Sequence, residues 1–169
     1  MPLLIDRQVA ENHWVLVEPE EGQALADSIQ GLDFVLLPLA QVSEVESLNI
    51  NNIGVKLNSN SNIDGLISWL PKVSLIAIDF PVFRDGRGFS LARQIRRLGY
   101  QGELRAIGQF ARDQLGYLER CGFNAFDFAG DLPSEALLAA FDEISVRYQG
   151  AADDPRPIYR QSQELKVGV

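Results

Sequence analysis

From residue 53 onward, short apolar runs alternate with stretches whose apolar residues recur every three or four positions. The runs are IGVKL (53–57), LIAIDF (75–80), ELRAIG (103–108) and AFDF (125–128), each of strand length. Between them, IDGLISWLPK (63–72) reads as a short helix stopped near Pro71. SLARQIRRL (90–98) reads as a helix with Leu91, Ala92, Ile95 and Leu98 on one face. ARDQLGYLERCG (111–122) turns Ala111, Leu115 and Leu118 inward and stops at Gly122. Asp131 is placed to cap a last helix, along which Leu137, Leu138, Phe141, Ile144 and Tyr148 keep a helical spacing. Strands alternating with helices predict an α/β fold with a parallel sheet of repeated β-α units and right-handed crossovers. An open sheet and a partial β/α barrel both satisfy the pattern, and in both a ligand belongs at the C-terminal ends of the strands.

Upstream, LLIDRQVAENHWVLVE (3–18) reads as two short strands around a polar turn, an N-terminal β-hairpin at a sheet edge, and DFVLLPL (33–39) as a further strand. The segment 151–169 has two prolines and no apolar period. The expected organisation is a single α/β domain over 1–150 and a C-terminal tail over 151–169, disordered or strapped on the surface.

Composition narrows the function. At 46% apolar and 22% charged residues the chain is that of a globular domain, and its net charge of −8 argues against affinity for nucleic acid or anionic membrane. The start lacks the apolar core of a signal peptide and no run approaches a membrane span, so a cytoplasmic location is expected. One cysteine, Cys121, and one histidine, His13, exclude a disulfide within the chain and a Cys-rich metal site, and no metal is expected. Cys121 falls on the buried side of its helix and reads as packing.

The charge is unevenly placed. Between Asp79 and Arg120 eight arginines face five acids, a local surplus of three, so the rest of the chain carries −11. Each of the four downstream runs also has one charge inside it, with alternating sign: Lys56 in VKL, Asp79 in IDF, Arg105 in LRA and Asp127 in FDF. A buried strand charge is costly unless paired, so neighbouring strands would bring these four into one layer of lateral ion pairs. The alternative puts Lys56 and Asp79 in a pocket as an acid/base or carbonyl-binding pair.

The segment FPVFRDGRGFS (80–90) lies where a loop leaves a strand and enters a helix. Gly86 and Gly88 permit backbone conformations closed to other residues, and Ser90 or the amides beside it would start the helix. Arg84 and Arg87, with Arg112 after the next strand, would then converge on a small anion or a partner surface, oriented by Asp85 and Asp113. The competing arrangement ties Asp85 into the loop and leaves the phenylalanines to plug the core. Arg93, Arg96 and Arg97 fall on the opposite side of the helix, as a solvated basic face. GRGFSL does not complete a dinucleotide fingerprint, because Leu91 stands where a third small residue is needed and the turn begins too far beyond the strand.

The module resembles a bacterial family, domain of unknown function 934. The resemblance rests on F-x-DGRG-x-S from Phe83 to Ser90, GELRA-x-G from Gly102 to Gly108, and RDQL…L-x-RCGF from Arg112 to Phe123. It implies a setting in assimilatory sulfite reduction and cysteine biosynthesis, since members are commonly encoded beside sulfite reductase and labelled as oxidoreductases of that step. Sulfite reductase is then the implied partner and sulfite the implied small anion. No flavin, nicotinamide, haem or iron–sulfur signature accompanies the label, so cofactor and catalytic residues stay unassigned. Two readings result: an accessory protein or oxidoreductase of sulfite reduction with an arginine-rich binding loop, and a non-catalytic structural or regulatory protein that docks on sulfite reductase.

Overall fold

The computed structural model describes residues 3–19, 24–48, 50–130 and 133–161. Among these residues eight strands make one sheet: β1 (Leu3–Ile5), β2 (Gln8–Ala10), β3 (Val15–Leu16), β4 (Phe34–Pro38), β5 (Asn52–Asn58), β6 (Leu75–Phe80), β7 (Glu103–Gly108) and β8 (Ala125–Asp127). Their spatial order is β2-β1-β8-β7-β6-β5-β4-β3. From β3 to β8 the strands run parallel in chain order, and β1 joins β8 and β2 antiparallel. The helices are α1 (Leu25–Ser28), α2 (Arg87–Arg97), α3 (Leu115–Cys121), α4 (Ser134–Ala139) and α5 (Ile158–Gln161), with 3-10 turns at Leu39–Ser47, Asp64–Trp69 and Arg112–Gln114. The predicted parallel α/β sheet with an N-terminal hairpin is what forms.

Parallel strands laid down in chain order, each connection right-handed, place every crossover on the same face. That face carries the main core: Val35 and Leu37, Val55 and Leu57, Ile76, Ile78 and Phe80, Leu104 and Ala106, and Phe126 pack with Leu91, Ala92 and Ile95 of α2 and Leu115 and Leu118 of α3. Helix α3 ends on Gly122 at φ 113, the left-handed conformation that glycine adopts without a Cβ penalty. There the Gly122 and Phe123 N–H groups bond back to Glu119 and Leu118.

The opposite face is concave. Ala10 at the end of β2 is five residues from Val15 at the start of β3, a reach of at most about 18 Å. Laid flat, the seven strand spacings between those edges would span about 33 Å. The sheet therefore curls until its edges nearly meet, an open relative of the predicted partial barrel. The link itself lies against the concave face. Asn12 Oδ1 accepts from Arg105 Nη1 at 2.9 Å, and Trp14 covers Gly54, where a Cβ would fall 3.0 Å from the indole. Trp14 and Ile107 pack on a second, smaller apolar cluster of Leu36, Leu75 and Ala77.

Three local expectations change. The hairpin closes within Leu3–Ala10 through Asp6 and Arg7, while Val15–Leu16 leaves for the far edge, because the link is long enough only to cross the curled face. Leu98 is 45% exposed, since α2 ends at Arg97 and the chain turns away. The helix expected across 137–148 stops at Ala139: Phe141 completes the core against Phe126 at 5.1 Å, and Ile144 and Tyr148 lie exposed beyond it. Asp131, the expected cap, lies outside the described residues, as does 162–169 of the tail. The part of 151–161 nearest the core returns to α3, with the Ala152 N–H donating to Arg120 O.

Candidate functional site

The loop between β6 and α2 is built on Phe80, which is fully buried and meets Phe89, Phe110 and Phe123 at ring separations of 5.3, 6.3 and 5.9 Å. From this anchor the chain rises through Pro81 to an exposed tip. Val82 is 56% and Phe83 53% exposed, and Arg84 is exposed with no partner among the described residues. Of the phenylalanines expected to plug the core, Phe80 does so and Phe83 faces solvent.

Beyond the tip the chain folds back on Asp85, whose carboxylate is buried. Its Oδ1 accepts from the Arg87 backbone N–H at 3.1 Å and from Arg87 Nε at 2.9 Å. Its Oδ2 accepts from Arg87 Nη2 at 2.6 Å and from the Ser59 hydroxyl at 2.5 Å. Of the three arginines expected to converge here only Arg87 does so, and with its own helix-start amide it closes on Asp85 of the same chain, the internal tie that was the competing arrangement. Helix α2 starts at Arg87, so Ser90 lies within the helix rather than at its start. Gly86 has φ −80 and open space around it, a conformation any residue adopts. Gly88 is required for close approach, not backbone freedom: a Cβ there would sit 2.6 Å from the Phe80 ring.

Hydrogen bonds from Arg87 and Ser59 hold the Asp85 carboxyl below the usual carboxylate range, and Asp85 in turn raises Arg87. A carboxylate depressed on folding stabilises above its unfolded pKa, about 3.9, and that contribution fades as pH falls towards the folded value. Asp85→Asn is therefore expected to be less stable than wild type in urea at pH 6, with the difference shrinking at pH 3. An equal difference at both pH values would show that the charge on Asp85 has no part in it.

The other rim residues have separate partners. Arg112 donates to Ala136 O at 2.7 Å and to Glu143 Oε1 at 2.5 Å, and Asp113 is exposed with no partner among the described residues. Arg84, Arg87 and Arg112 thus share no acceptor.

The four strand charges lie on one face, the concave one, but not in one layer. Register aligns Lys56 with Ala77 and Ala77 with Arg105, and the next level aligns Asn58 with Asp79 and Asp79 with Ile107. Both positive charges occupy the lower level and Asp79 the upper, with Asp127 two residues beyond Ala125, the partner of Arg105. Only Lys56 and Asp79 meet, diagonally, at 3.9 Å. Lys56 lies nearer Glu18, at 3.1 Å. Arg105, 2% exposed, bonds Glu103 through Nε at 2.7 Å and Nη2 at 2.6 Å, and Asp127 has no ion-pair partner among the described residues. Sequence reasoning missed Ser59, Glu18 and Asn12 as partners. Their only signal was polarity in a turn or at a strand end.

A family model described as "Bacterial protein of unknown function (DUF934)" matches residues 54–159. The chain belongs to the DUF934 family. No curated protein matches it. The DUF934 match begins inside β5 and contains the whole Ser59–Asp85–Arg87 cluster, whereas Glu18 and Asn12, which hold Lys56 and Arg105, precede it. Among the described residues of this DUF934 protein no group of His, Cys, Asp or Glu could hold a metal ion, and no helix is long and apolar enough to cross a membrane. Cys121 is buried, and burial pushes its thiol up.

Proposed function

We propose that this DUF934 protein is a cytoplasmic accessory protein of assimilatory sulfite reduction that docks on sulfite reductase through the tip Val82–Phe83–Arg84. One observation carries the reading. Arg87 and Arg112 are engaged by carboxylates of the same chain, while Arg84 has no partner among the described residues and stands beside two large apolar side chains that are more than half exposed. A small oxyanion would have to compete with Asp85 for Arg87. A protein surface needs no such displacement: an apolar pocket receives Phe83 and an acidic rim faces Arg84. The sulfite-reduction setting rests on the resemblance of the 83–123 motifs.

The test is gel filtration of the purified protein with purified sulfite reductase. Co-elution at low salt, weakened at high salt, is expected from a charged contact. Phe83→Ala with Arg84→Ala should weaken the complex by about thirtyfold or more, since anchors of this kind contribute about 2 kcal/mol or more. Separate elution of the wild-type proteins, or unchanged binding by the folded double variant, would overturn the proposal.

A further inference from the structure

At the other end of the sheet, where the parallel strands begin, a cavity of about 820 Å³ opens beneath the last turns of α2 and α3. Its walls include Arg93, Arg96, Arg97, Gln101 and Asn124. The acids in the same lining already have partners. Glu119 receives both Nε and Nη2 of Arg7 at 2.8 Å, Asp153 is ion-paired with Arg147, and Asp6 accepts from Asn124 at 3.2 Å.

The arginines differ among themselves. Arg96 is fixed: its guanidinium donates to Gly122 O and Tyr100 O at 2.8 Å, Gly102 O at 3.0 Å and Asn124 Oδ1 at 3.1 Å. It forms a rigid floor. Arg93 makes a single long contact, 3.5 Å to Arg120 O, and Arg97 has no partner among the described residues. These two are one helical turn apart, a spacing at which like charges repel. The helix dipole favours cations in a last turn. It does not explain why two guanidiniums with no carboxylate partner among the described residues border a cavity in which Glu119 and Asp153 are ion-paired elsewhere and Asp6 is held by Asn124.

We propose that this cavity binds a small molecule through a phosphate or sulfate group, gripped between Arg93 and Arg97. Planar guanidinium forks match tetrahedral oxyanions, and a fixed Arg96 holds the end of α2 in place for them. The volume exceeds that of the bare ion and falls in the range of metabolite sites, so the group is carried on a larger molecule. The site is at the opposite end of the sheet from the docking tip and does not depend on it.

Inorganic phosphate and sulfate are the probes, titrated calorimetrically against sodium chloride of matched ionic strength. Phosphate and sulfate are expected to bind at one site per chain and chloride to give no saturable heat. Arg93→Gln and Arg97→Gln should each weaken binding about tenfold, and the double variant about a hundredfold, as expected for charge-assisted hydrogen bonds. Arg84→Ala should leave the affinity unchanged, which separates failure here from failure of the docking tip. Both arginines lie on the helix surface, and a wild-type melting temperature in chloride confirms that the variants are folded. Absence of saturable binding, or wild-type affinity in the folded double variant, would overturn the proposal.

Discussion

Arg96→Met is expected to lower the unfolding free energy by about 3 kcal/mol, a fall of about 6–12 °C in melting temperature for a domain of this size. The guanidinium serves three carbonyl oxygens and one side-chain amide oxygen, drawn from the segment after α2 and from the segment after α3. Both segments lead directly into strands, so one side chain sets the entry of β7 and β8. Methionine fills the aliphatic volume and supplies no donor, which leaves carbonyls in a half-buried position without partners. Asn124 keeps one bond, from the Leu104 N–H at 2.8 Å, which bounds the loss from above. Burial already pushes the Arg96 guanidinium down, and electrostatic interactions with Tyr100 and Asp6 only partly offset this. Lysine should not rescue, because one ammonium cannot reach four acceptors spread about a planar fork. Urea unfolding decides the matter. A loss under about 1 kcal/mol would show that water replaces the guanidinium, and the neighbouring Arg97→Met should change stability by no more than about 0.5 kcal/mol.

Gly108→Ala should cost about 3–5 kcal/mol, combining a strained backbone with an overpacked contact. Gly108 has φ +89 at the end of β7, and a Cβ there would fall 2.5 Å from Asp79 Oδ1 and 2.6 Å from Phe80 O. The side chain of Asp79 has some freedom to move. The Phe80 carbonyl does not, because it accepts the Gln109 N–H at 2.7 Å and belongs to the strand that anchors the tip. The substitution should therefore displace the end of β6 and weaken docking as well as stability. Gly86→Ala, four residues before Ser90, is the matched control: with open space and a helical φ it should be neutral or stabilising by up to about 1 kcal/mol. Equal losses at the two glycines would refute the geometric account.

What was legible in the chain was most of what local periodicity governs. LIAIDF and ELRAIG became β6 and β7 because short, predominantly apolar runs suit strands covered on both faces, and Gly122 ended α3 because the chain there needs a left-handed turn. The strand charges did share one face, as period two requires. Their pairing was not legible, because it depends on a register offset of two residues that places Lys56 and Asp79 on different levels. The fate of Asp85 was likewise hidden. Its loop allowed either an external anion or an internal one, and Ser59, from the neighbouring strand end, is what completes the internal site. The apolar spacing through Ile144 and Tyr148 misled for a different reason: Phe141 filled the last space under the sheet, leaving the later residues nothing to pack on.

The order of the strands also sets a timetable for synthesis. Val15–Leu16 pairs with a strand only about twenty residues later, whereas Leu4 pairs with Phe126, roughly 120 residues away. At ribosomal speeds of about 5–20 residues per second, the first hairpin leaves the tunnel at least about six seconds before its neighbour β8 exists. Once β3 docks on β4, its own link holds the hairpin close to its destination. A tether of four residues thus turns a search across the whole chain into a short swing, and the last strands to emerge find the first ones waiting beside them.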